Sequence, residues 1–71
     1  MCIAVIGKIV SIDESLALAK VMINDVIKDV NILLIPEAKV NDYIIIHAGM
    51  GIRIIDKESV KVYLNLFDTY G

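Results

Sequence analysis

Residues that carry chemistry are scarce in this chain: 71 residues hold one cysteine, one histidine, one proline, one phenylalanine and no tryptophan. A lone thiol excludes a disulfide scaffold. No paired-cysteine or HExxH spacing occurs, which excludes a self-sufficient tetrahedral zinc site. A GxSxG elbow, a phosphate loop and a dinucleotide fingerprint are also missing; Gly49 and Gly51 in AGMGI lack the third glycine and the long helix that should follow. These absences argue against a free-standing enzyme. Positive charge is short as well, with seven Lys and Arg against nine Asp and Glu, a net charge of -2 and a pI near 5.1. Such a chain has no electrostatic footprint for nucleic acid or an acidic membrane.

Long apolar runs are missing too. The longest stretch without a charged residue is the ten residues from Tyr43 to Ile52, far short of a membrane span. The opening MCIAVIG has no basic flank, and Lys8 interrupts it before it reaches the length of a signal core, so the expected compartment is the cytoplasm. There a single thiol stays reduced.

What is abundant is branched apolar side chain. Hydrophobic residues make up 58% of the sequence, and 14 are Ile and 8 are Val, which favour a pleated surface over a helix. Five strands are expected: Cys2–Ile12, Leu16–Ile23, Val26–Leu34, Tyr43–His47 and Ile52–Ile55. The turns between them fall at Asp13–Ser15, at Asn24–Asp25, at the polar connection Glu37–Asp42 after Pro36, and at a bend or bulge around Gly49 and Gly51. The period then changes. Val60, Tyr63, Leu64 and Phe67 follow i, i+3, i+4, i+7, which predicts an amphipathic helix from Lys57 to Thr69 capped by Asp56, with Lys57, Lys61, Asn65 and Asp68 facing water. The expected architecture is mainly β: one domain over residues 1–71, a small five-stranded antiparallel barrel over about 2–55 and a C-terminal helix over about 57–69. A domain of this size buries only roughly 60% of its unfolded surface, so some apolar surface is left for partners.

Three positions and one stripe admit a functional reading beside a plain one. If Met1 is removed, Cys2 offers a thiol and an α-amine on one residue, able to close a five-membered chelate ring; the plain reading is a small buried hydrophobe. His47, on the same strand face as Tyr43 and Ile45, is either a ligand for iron or a hydrogen-bonded structural residue. Asp42 reads as a general base or, more simply, as a turn residue. The stripe of Val60, Tyr63, Leu64 and Phe67 is core, while Leu66, Phe67 and Tyr70 are candidates to extend into a partner surface.

Two blocks taken together, MCIAVIGKIVSID and LIPEAKVNDYIIIHAGMGIRIID, resemble the HypC/HupF family of hydrogenase maturation chaperones over the whole length. The family opens on Met-Cys and a Gly-Lys-Val type strand, here Cys2 through Val10. It continues with a Pro-Glu-x-Lys-Val-x-Asp-Tyr-hydrophobic-His-x-Gly stretch, here Pro36 through Gly49, and its helix follows an Ile-Asp pair, here Ile55 and Asp56. Two departures stand out: Ile6 replaces the family's proline, and Met50-Gly51 replaces its Phe-Ala, the second being a change in a partner contact.

The resemblance implies an OB-like barrel that is not an enzyme and has no permanently bound cofactor. It implies iron as transient Fe(CN)2(CO) cargo, held by Cys2 with His47 auxiliary. The implied partners are a HypD-like iron-sulfur protein and the hydrogenase large-subunit precursor. Cys2, Ile3, Ala4, Met50 and Phe67 would form the partner surface of a monomer or weak homo-oligomer, without nucleic acid or membrane. The rivals are a nucleic-acid-binding OB-type module, which the charge and the few aromatics disfavour, and a metal-free interaction subunit.

Overall fold

The computed structural model describes residues 4–61. Five strands, β1 (Val5–Asp13), β2 (Leu18–Ile23), β3 (Val26–Asn31), β4 (Tyr43–His47) and β5 (Met50–Ile55), close into an OB-like barrel in the order β1-β2-β3-β5-β4. Four junctions join consecutive antiparallel neighbours or bring β4 back to β1; the remaining one, β3 to β5, is a single parallel bridge between Asn31 and Met50. A helical segment covers 57–61, and its first backbone bond runs from the Val60 N–H to the Asp56 carbonyl at 3.1 Å, the position expected of a helix-capping residue. The remainder of the expected helix, with Tyr63, Leu64 and Phe67, lies outside the described residues. So do Cys2 and Ile3.

Turn chemistry sets the strand ends. Asn24 and Asp25 both have positive φ (47° and 67°), as do Ala48 and Gly49 (53° and 79°), the condition for two-residue hairpin turns whose twist matches that of the strands. The second of these turns is shorter than the sequence suggests, so β5 begins at Met50 and not at Ile52. β3 was expected to reach Leu34 but ends at Asn31. The Asn31 side chain accepts the Leu33 N–H at 2.8 Å, and the Ile32 N–H goes to the Ala17 carbonyl at 2.9 Å, so the backbone groups that would continue the ladder are used in a turn. β2 starts at Leu18 and not Leu16 for a similar reason. The Asp13 carboxylate accepts the N–H groups of Ser15 and Leu16, and Ala17 leaves the turn at φ 52°.

Two apolar clusters result, one on each side of the sheet. Inside the barrel, Ile9, Val21, Val30 and Ile44 are fully buried with Ala19, Ile32, Ile35, Ala38 and Ile46 around them. Gly7 belongs to this packing, since a Cβ there would collide with the Val21 side chain. Outside, Ile45, Ile55 and the helical Val60 form the second cluster, with Ala4, Ile6 and Tyr43 against it. Ile6 stands in β1 opposite Ile45, so at the position of the family proline this chain runs as ordinary strand.

Candidate functional site

β4 places the histidine. Its five residues alternate without interruption: Ile44 and Ile46 enter the barrel, while Tyr43, Ile45 and His47 face outward on the side that Val60 covers. The Ala48-Gly49 turn then reverses the chain, so half-buried His47 ends its strand directly opposite Met50. β1 runs antiparallel on the other flank of β4, with Val5 opposite Ile46 and Ile6 opposite Ile45. The first residues of β1 therefore lie beside the end of β4 that carries His47, and Ala4 packs on the outer cluster. Of the six residues that the resemblance assigns to the site, Ala4, His47 and Met50 lie toward one end of the outer face. Cys2, Ile3 and Phe67 are not described.

Among the described residues no hydrogen bond holds the His47 imidazole and no three His, Cys, Asp or Glu side chains cluster as a metal site. Asp42 is a turn residue. Its carboxylate accepts the Lys39 N–H at 2.9 Å, its own N–H goes to the Lys39 carbonyl, and its carbonyl accepts the Ile9 N–H at 2.9 Å, stapling the 36–42 connection to β1. Asp13 also serves a turn: the Ser15 hydroxyl, donating at 2.6 Å, holds its pKa below the usual carboxylate value. A surface depression of about 680 Å³ is lined by Ile12, Asp13, Glu14, Ala38, Lys39 and Val40, none of them a candidate residue.

Sequence reasoning missed Arg53. A bulge at Ile52 lets Gly51 face Ile46 while Arg53 faces Ile45, which turns the chain's single arginine to the same outer face as His47. Plain alternation from Met50 would have sent it inward. Lys8 borders the same face, its ammonium 5.9 Å from the centre of the Tyr43 ring. The site is thus an apolar platform of Ala4, Ile6, Ile45, Met50 and Ile55, edged by an imidazole, a guanidinium and an ammonium.

A family model for the HupF/HypC family matches residues 1–67. The chain belongs to this family. It is similar to the hydrogenase maturation factor HypC of Synechocystis sp., 38% identical over 65 residues that cover 86% of each chain. It is also similar to the hydrogenase maturation factor HybG of Escherichia coli K12, 34% identical over 70 residues covering 92% of this chain and 85% of that protein. Membership makes the chain a hydrogenase maturation chaperone and not an enzyme. No helix among the described residues is long and apolar enough to cross a membrane.

Proposed function

We propose that this chaperone carries the Fe(CN)2(CO) unit as cargo, receiving it with a HypD-like iron-sulfur protein and delivering it to the precursor of the hydrogenase large subunit in the cytoplasm. Cys2 holds the iron through its thiolate, and His47 is the auxiliary group. Low-spin iron with strong-field ligands is a soft centre that a thiolate suits. A carrier needs few ligands of its own, because a site that closes around its metal does not release it. In this reading one domain spans residues 1–71, and Ile3, Ala4, Met50 and Phe67 make the partner contact.

One observation supports the assignment above the others: β1 starts opposite Ile46, one residue from His47, on the strand end flanked by Met50 and Ala4. The sequence puts the lone thiol two residues before Ala4. The test is anaerobic co-purification of the chain with its HypD-like partner, read by infrared spectroscopy. Bands from cyanide and carbon monoxide are expected with the unaltered chain, and their loss with Cys2→Ala. Retention of the bands and of hydrogenase maturation in Cys2→Ala would sink the assignment.

A further inference from the structure

Charge is spread unevenly over this chain, and the unevenness falls on the outer face. As a whole the protein is acidic, with nine Asp and Glu against seven Lys and Arg. Where β1, β4 and β5 run side by side, the stretches 4–8, 43–47 and 50–55 hold Lys8, His47 and Arg53 and no Asp or Glu. All three cationic or basic groups stand on the outward side, because Lys8 pairs with Tyr43 and Arg53 with Ile45. The acids that border these stretches are otherwise placed. The Asp42 carboxylate accepts the Lys39 N–H, and Asp56 stands at the helix start.

Arg53 is the member of this set best placed to meet another molecule. Its cross-strand neighbour Ile45 is buried in the outer cluster, while Arg53 itself is exposed. Lys8 lies over the Tyr43 ring, and His47 is half-buried. The ion pair found among the described residues joins Lys20 to Asp29, on β2 and β3, and leaves Arg53 out. A guanidinium is always charged, weakly hydrated and shaped to take a carboxylate through two parallel N–H groups. In water such a pair contributes little. Covered by a partner it becomes selective, because a protein lacking the carboxylate leaves the guanidinium desolvated and unpaired. Nucleic acid fits this face poorly, since the rest of the chain is acidic and repels phosphates.

We propose that Arg53 selects the protein that docks on the outer face, by pairing with a carboxylate of that protein set beside an apolar side chain that packs around Met50. The fitting surface is thus acidic and apolar together, complementary to a platform that is cationic and apolar together. This inference rests on the reading above, in which Ala4 and Met50 belong to the partner contact, and it adds the residue that reads charge.

The test measures affinity for the purified HypD-like protein, anaerobically, with the full chain and its Arg53→Gln and Arg53→Glu variants, at about 50 mM and about 500 mM salt. The side chain is exposed, so an unchanged urea midpoint is expected for each variant and confirms folding. At the lower salt Arg53→Gln is expected to bind about tenfold more weakly and Arg53→Glu about a hundredfold, both gaps narrowing at the higher salt. Equal binding by all three chains overturns the inference and leaves the chaperone reading standing. Losses of the same size at both salts overturn it too, since the contact then works through shape and not charge. Failure of the unaltered chain to bind overturns both readings.

Two further measurements separate docking from other roles of the guanidinium. Asp68 belongs to the sequence but lies outside the described residues, so Arg53→Gln is repeated in an Asp68→Asn background. A loss of about tenfold there supports the inference. No further loss means that the guanidinium serves the chain's own Asp68, and the inference fails. With the HypD-like protein in saturating excess, Arg53→Gln is expected to keep the cyanide and carbon monoxide bands that Cys2→Ala loses. Their absence from the Arg53→Gln complex overturns a docking role.

Discussion

The two faces of β4 divide the molecule's work. Inward, Ile44 and Ile46 join a cluster in which every described member is aliphatic, and among the described residues no polar side chain is buried. Outward, Ile45 is nearly as buried, at 8% exposure, yet its neighbours on that face are Tyr43, His47 and, across the ladder, Arg53. The inner face is closed by the barrel itself. Among the described residues the outer face is covered by Val60, and it reaches Ala4. The difference teaches that strand alternation sets the aliphatic barrel interior one residue apart from the mixed face that carries the proposed site. Substitutions on β4 should therefore split into those that unfold the protein and those that disable it.

The largest break of that comparison is Ile44→Ala. The side chain is fully buried in the barrel, so truncation is expected to cost about 2–5 kcal/mol, read as a lower urea midpoint. His47→Ala, three residues on, should leave the unfolding free energy within about 0.5 kcal/mol of the starting value, because the imidazole makes no hydrogen bond among the described residues. Its effect belongs in maturation, measured as hydrogenase activity restored in a strain lacking the chaperone. Equal stability losses in the two variants would show that the faces are not separate.

Gly49→Ala sharpens the comparison at the hairpin that holds His47. A Cβ at Gly49 meets nothing within 4 Å, but φ is 79°, so the cost is conformational strain alone, about 1–2 kcal/mol. A fall in maturation beyond that of an equally destabilised barrel variant would show that the turn positions the histidine.

Much of this arrangement was legible in the sequence. β-branched residues and turn signals located five strands, and the alternation Tyr43-Ile45-His47 put the histidine on its observed face. What escaped has identifiable causes. Gly49 and Gly51 signalled a bend or bulge but not its position at Ile52, and with that position went the outward face of Arg53. Ile32 to Leu34 have strand composition but lie in a turn, because Asn31 and Ala17 capture backbone groups over distances that local propensity does not register. The triple isoleucine of β4 carries no polar alternation because both faces are covered, one by the barrel and one by the helix.

The smallest effect lies away from both faces, in the Asp13 turn. The Ser15 hydroxyl and the Ser15 and Leu16 N–H groups all donate to this carboxylate, lowering its pKa below the usual carboxylate value. A carboxylate whose pKa is lower folded than unfolded stabilises the fold above the unfolded value. That contribution is lost as pH falls through the folded value. Melting temperature followed from pH 6 downward should thus fall more for the unaltered chain than for Asp13→Asn, the two curves converging at the acid end. Because the carboxylate is exposed, the gap at pH 6 is small and shrinks with added salt. Parallel curves would mean that the turn is held by backbone geometry alone, with Ala17 at positive φ as its anchor.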